Sequence, residues 1–114
     1  MSGTETVLVV TLAANGALVF GYRIYRLARG GPLADAVGGA ALAAALAVIA
    51  IAIAAGVEWV RYVALGYGLT FGLAAMPVWV LGVLIPMRPG PLDYAFTILY
   101  WSSLAVIVVA AIVA

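Results

Sequence analysis

The chain has 114 residues, of which 68% are hydrophobic and 8% charged, with a net charge of +1; its mean hydropathy is +1.30. Soluble domains carry about 25% charged residues, so this composition excludes a water-facing globule and points to the bilayer as solvent. It also excludes a broadly basic nucleic-acid-binding face, and with no Cys and no His there are no disulfides, no thiol catalysis, no cysteine-ligated zinc or iron–sulfur cluster and none of the commonest metal and haem ligand.

Four stretches are free of charge: residues 6–22, 36–57, 62–87 and 94–114. About 20 apolar residues at about 1.5 Å rise each cross the hydrocarbon layer. The first stretch reaches that length when Arg23 and Arg26 extend toward the headgroups. Strict polar alternation, the mark of an outer-membrane strand, is missing from all four. The expected fold is therefore all-α: four hydrophobic transmembrane-type helices forming two tandem hairpins, residues 1–57 and 58–114, within one compact domain. The first helix reads as a retained span rather than a cleaved signal, because Glu5 precedes its apolar stretch and the arginines follow it.

Arg23, Arg26, Arg29 and Arg88 fall on the side of the first and third loops, and only Arg61 on the other. The positive-inside rule then predicts a cell-membrane protein with those loops in the cytoplasm and both termini outside. Phe20, Tyr22, Tyr25, Trp59, Tyr62, Tyr67, Trp79 and Tyr94 lie near expected span ends, where amphipathic rings anchor at headgroups. Glu58 and Arg61 form an i,i+3 surface pair worth a few tenths of a kcal/mol (about 0.2–0.5).

The first loop reads Arg29-Gly30-Gly31-Pro32-Leu33-Ala34-Asp35 and the third Arg88-Pro89-Gly90-Pro91-Leu92-Asp93. The shared Arg-x-Gly-Pro-Leu pattern is offset by 59 residues, and the same offset pairs Ala13 with Gly72, Gly16 with Ala75, Val19 with Val78 and Phe20 with Trp79. Either an internal duplication of a two-helix unit, which would give a parallel repeat, or convergent turn chemistry accounts for it. In both cases Gly31 or Gly90 supplies a positive φ, proline begins the next helix, and Asp35 or Asp93 meets its positive dipole end.

Small residues recur at four-residue spacing in two rows, Ala13-Ala17-Gly21 and Ala64-Gly68-Gly72, and the second helix is small almost throughout. Such rows let backbones approach closely in lipid. Four short helices have more of these rows than they can use internally, which points to a homo-oligomer or a subunit of a larger complex. Pro77 is expected to kink the third helix. Thr70, Thr97, Ser102 and Ser103 can bond to their own helix turns, so Asn15 is the intramembrane polar group that needs a partner across helices. No ionisable residue lies mid-membrane, which weighs against an ion-coupled pump such as the small multidrug-resistance family. No enzymatic activity, cofactor or metal is expected.

The apolar helices, the Ala/Gly/Val-rich composition and the basic turn of Arg23, Arg26 and Arg29 resemble conjugative (type IV secretion) pilins and the related archaeal DNA-import pilins. Residues 7–55 resemble that unit, and residues 62–114, with Arg88, look like a second copy. The resemblance implies a self-assembling structural subunit, a helical filament of protein and bound lipid, extracellular after assembly. It further implies basic turns facing a lumen or phosphate headgroups, and single-stranded DNA as the passing partner. The first loop also resembles a small subunit of multisubunit cation/proton antiporters, a likeness the second half does not continue. An accessory subunit of a respiratory or other membrane complex, partnered by other membrane subunits, is the alternative, and a small channel or carrier a further one.

Overall fold

The computed structural model describes residues 2–86 and 88–113. It is all-helical, with four helices long and apolar enough to cross a membrane: α1 (Gly3–Ala28), α2 (Leu33–Ala54), α3 (Val60–Leu84) and α4 (Pro91–Val113). They bundle into a body of 42 × 23 × 19 Å. The long axis accommodates the ~39 Å expected of the 26-residue α1.

Helix ends follow from local chemistry. Ser2 caps α1 by accepting the Glu5 N–H at 3.2 Å, leaving Glu5 in the first turn where its charge favours the dipole. At the other end Gly30 takes a φ of 89°, its N–H bonding the Leu27 carbonyl while the Gly31 N–H reaches back to the Arg26 carbonyl at 2.8 Å. That is the Schellman arrangement. Gly56, with a φ of 93°, ends α2 in the same way, with the Val57 N–H on the Ala52 carbonyl.

The positive φ in these turns differs from the sequence expectation. It falls on Gly30 rather than Gly31, and on Arg88 (φ 54°) rather than Gly90. Gly31 is required for a different reason: a Cβ there would lie 2.7 Å from the Arg26 carbonyl oxygen that its own N–H bonds.

Pro77 does not end α3. Its missing N–H breaks the i→i−4 ladder, and the helix answers with two wider π-helical stretches, Phe71–Ala75 and Val80–Leu84, flanking Met76–Trp79. The N–H of Met76 bonds the Phe71 carbonyl and that of Ile85 the Val80 carbonyl, each one residue further back than in an α-helix.

Helix α1 packs most extensively on α2 and also on α4, while α3 packs mainly on α4 and only lightly on α2. The α1–α2 seam is tight because Gly16 faces Ala43, where a Cβ would come within 3.4 Å of the backbone, and Gly39 faces Val19 and Arg23. One core draws on all four helices: Leu8 and Leu12, Leu46 and Ile53, Val60 and Ala64, Ile107 and Ala111. The two sequence halves therefore share one interior. Positions paired by the internal repeat do not share environments: Val19 is 4% exposed and Val78 is 71% exposed.

The two small-residue rows also differ. Ala64 and Gly68 are buried, and a Cβ on Gly68 would sit 2.7 Å from a Val108 methyl and 3.3 Å from the Leu104 carbonyl. This row brings α3 and α4 together inside the chain, with Gly72 continuing it toward Leu104. Ala13, Ala17 and Gly21 instead face outward.

Candidate functional site

The interior polar group is Asn15, midway along α1 and wholly buried. Its Oδ1 accepts the Tyr67 hydroxyl from α3, and its Nδ2 donates to Ser103 Oγ on α4 at 2.6 Å. Ser103 in turn donates to the Tyr100 carbonyl at 2.7 Å. The Tyr67 and Tyr100 hydroxyl oxygens lie 2.6 Å apart. Since Tyr67 donates to Asn15, Tyr100 is the donor in that pair. The hydrogen bonds therefore run in one sense, from Tyr100 to Tyr67 to Asn15 to Ser103, and back to the Tyr100 main chain. Each side-chain polar atom in this circuit has a hydrogen-bond partner, which is what a medium without water requires.

Sequence reasoning finds Asn15 but places Tyr67 in an interfacial belt and gives Tyr100 no role. Tyr67 lies about 12 Å of helix beyond Trp59, deeper than a headgroup anchor at that end. That depth is the signal that could have found it. Trp59, Tyr62 and Tyr94 do stand exposed at span ends. Tyr22, by contrast, is buried: its ring stacks on Phe96 at 4.0 Å and its hydroxyl donates to Asp93 Oδ1 at 2.6 Å.

Beside this circuit, between the four helices, lies a cavity of about 140 Å³ lined by Tyr22, Phe71, Met76, Trp79, Phe96 and Tyr100, with Arg23 at its edge. Arg23 leans toward α2, where its Nη1 stands 3.5 Å from Asp35 Oδ2. The pairing draws Arg23 away from the other arginines of the basic turn.

Those others converge. Arg26 and Arg29 at the end of α1 and Arg88 in the α3–α4 turn line one cleft of about 540 Å³, together with Tyr25, Gly30, Gly31, Pro32, Gly90 and Asp93. Both Gly-Pro turns thus lie at the same end of the bundle. Arg29 is held over the Tyr25 ring, 5.7 Å from its centroid, and donates to its hydroxyl at 3.2 Å. Arg26 stands over Tyr22. Asp93 is turned back to its own chain, one oxygen on Tyr22 and the other accepting the Gly90 N–H at 2.8 Å, an arrangement that caps α4. The left-handed backbone of Arg88, uncommon for a residue with a side chain, sets it into this cleft.

Ala14, Ala17, Leu18 and Gly21 of α1 and Leu92, Ala95, Phe96 and Leu99 of α4 line an outward-facing apolar groove, closed at its turn end by Tyr22 and Tyr25. Two of the three members of the α1 small-residue row, Ala17 and Gly21, belong to it.

The fold and these features define a four-helix membrane-spanning bundle with a closed polar interior and a cationic cleft at one end. The chain matches no protein-family model, no curated protein and no solved structure.

Proposed function

We propose that this chain is a non-enzymatic structural subunit that assembles in the membrane from copies of itself and lipid. The observation that carries the reading is the outer face of α2. Ala34, Gly38, Ala41 and Ala45 lie along it, spaced four, three and four residues apart, and all are exposed. In lipid, where apolar surface alone drives no association, faces of this kind allow close backbone contact and gain dispersion energy. The polar groups of the interior bond to one another, which supports a scaffold rather than a carrier that must offer them to a solute.

Within that class the reading is a pilus subunit of the conjugation or DNA-import kind, leaving the cell membrane as an extracellular helical filament. The gathering of Arg26, Arg29 and Arg88 at one end supports it, since such an end facing a lumen offsets phosphate charge on passing single-stranded DNA. The uneven distribution of arginines supports cytoplasmic turns before assembly. An accessory role beside other membrane subunits is the alternative.

Self-association is read by energy transfer between labelled chains in liposomes over a range of protein-to-lipid ratios. The wild type is expected to associate. The double variant Gly38→Leu with Ala45→Leu is expected to weaken association by tenfold or more, corresponding to about 1.4 kcal/mol. A Cβ on Gly38 meets no atom within 4 Å, so the fold tolerates the change. A wild type that stays monomeric at every ratio contradicts the proposal. Sheared cell-surface material yielding filaments of this polypeptide supports the pilus reading; recovery solely in the membrane, in fixed ratio to other proteins, favours the accessory role.

A further inference from the structure

We infer that the cavity between the four helices binds a small uncharged quinone that enters from the bilayer. The ring lies among the aromatic side chains, and one carbonyl oxygen accepts from the Arg23 guanidinium. The inference goes beyond self-assembly and does not depend on it.

The size of the cavity fits one ring. Its volume is about 140 Å³, and an apolar cavity of about 150 Å³ stays dry and holds benzene. The hydroxyls on its walls are already engaged, Tyr22 with Asp93 and Tyr100 with Tyr67, so water would find few partners there. The α3 wall is preformed. Phe71, Ala75, Met76 and Trp79 all line the cavity, in and beside the π-helical stretch that accommodates Pro77. Such turns recur at functional sites. The Gly72 carbonyl lies five residues before that proline and so lacks its π-helical donor. It takes the Trp101 indole N–H instead, at 2.9 Å, which ties the stretch to α4.

Ring geometry and charge select the ligand. Tyr22 stacks on Phe96 at 4.0 Å and Phe96 on Tyr100 at 5.3 Å, so their electron-rich faces are turned on one another and the stack presents electropositive edges. Trp79 stands nearly perpendicular to Tyr22 and Phe96. A cage for a cation needs open ring faces, and the charge at this cavity's edge is an arginine. A carboxylate ligand fits no better. Arg23 already has Asp35 at 3.5 Å, so a second anion would bring unbalanced charge into a low-dielectric interior. Arginine has five N–H donors, and the contact to Asp35 through Nη1 leaves others for a neutral acceptor. A quinone supplies that acceptor on a flat, uncharged ring. Its route is lateral: Leu42 of α2 and Ala75 of α3 line the cavity, and these two helices pack only lightly on each other.

The test measures binding of radiolabelled toluquinone to the purified 114-residue chain in detergent, by scintillation proximity. With no cysteine and no lysine, side-chain adducts do not interfere. Wild type is expected to bind one equivalent saturably. Toluene, the same ring without carbonyls, is expected to compete at least roughly tenfold more weakly, as the loss of a hydrogen bond to a charged donor implies. Ala75→Trp sets a large ring at an exposed wall position and is expected to lower binding tenfold or more, while helical circular dichroism and the unfolding temperature hold. Arg23→Gln with Asp35→Asn removes the ion pair without stranding either charge, and is expected to bring toluquinone down to the affinity of toluene.

A wild type without saturable, displaceable binding would overturn the proposal. Unchanged binding in folded Ala75→Trp would place the quinone elsewhere and overturn it too. Toluene competing as well as toluquinone, or full affinity in the Arg23→Gln, Asp35→Asn variant, would remove the carbonyl contact and leave an apolar cavity only. Stronger competition by benzyltrimethylammonium or by para-toluate would assign the cavity to a cation or an anion and overturn the quinone reading. Gly38→Leu with Ala45→Leu, which addresses self-association on α2, is expected to leave quinone binding unchanged, so the two proposals fail separately.

Discussion

Asn15→Leu is expected to destabilise the bundle by about 2 kcal/mol. The substitution keeps the volume class but strands the Tyr67 hydroxyl, which donates to Asn15, and removes the donor that Ser103 accepts. A stranded buried donor costs about 1–3 kcal/mol. Interhelical hydrogen bonds in membranes average about 0.6 kcal/mol each, because the unfolded chain in lipid also finds partners. The lost bonds and the stranded group together give the figure. The effect is measured by reversible unfolding in mixed micelles. Tyr67→Phe removes the donor that Asn15→Leu leaves without an acceptor, so the double variant should be more stable than the sum of the single losses by about 1 kcal/mol. Strict additivity would mean that the two residues do not meet in the membrane.

The second large effect is steric. Gly68→Val is expected to cost about 3 kcal/mol, at the upper end of overpacking penalties, because its Cβ alone would approach a Val108 methyl to 2.7 Å and the Leu104 carbonyl to 3.3 Å. A methyl can rotate away, but the carbonyl belongs to the α4 backbone, so α3 and α4 must separate. Gly66→Val, two residues earlier on the same helix, meets nothing within 4 Å and should be neutral within about 0.5 kcal/mol. Unfolding measurements that give both variants the same stability would contradict the α3–α4 packing.

The four spans were legible because Glu5, Asp35, Glu58 and Asp93, with the arginines, bound the apolar stretches, and lipid leaves a long apolar stretch few alternatives to helix. The turns were legible in type but not in register. Gly30 and Gly31 are chemically identical, and the choice of which one takes the positive φ depends on where the last α1 carbonyls point. Arg88 was not identifiable as the left-handed residue of its turn while Gly90 stood two positions away.

Facing was harder to read. Ala13-Ala17-Gly21 and Ala64-Gly68-Gly72 look alike as sequence, yet one row faces outward and the other clasps α4. The difference lies in how each helix is rotated in the bundle, which spacing along one helix does not encode. The same holds for tyrosine, whose ring and hydroxyl suit a headgroup anchor and a buried polar partner equally. Asn15 requires some partner, but Tyr67, Tyr100 and Ser103 become that partner only through the packing of α3 and α4 against α1. The convergence of Arg26, Arg29 and Arg88 likewise needs both turns at one end. Arg23, a single helical turn before Arg26, is diverted by Asp35 across the seam that Gly39 makes narrow.

Four helices long and apolar enough to cross a membrane, with both Gly-Pro turns lining one cleft, put those two turns on the same side of the bilayer. The sequence has no cysteine, so single cysteines report their own side without interference. Pro32→Cys and Pro89→Cys, one in each turn, are to be compared with Ser2→Cys and Glu58→Cys from the opposite end, using a membrane-impermeant maleimide on intact and permeabilised cells. Ser2→Cys and Glu58→Cys are expected to label in intact cells, and both turn cysteines only after permeabilisation. Labelling of the two turn cysteines from opposite sides of the membrane would contradict this arrangement.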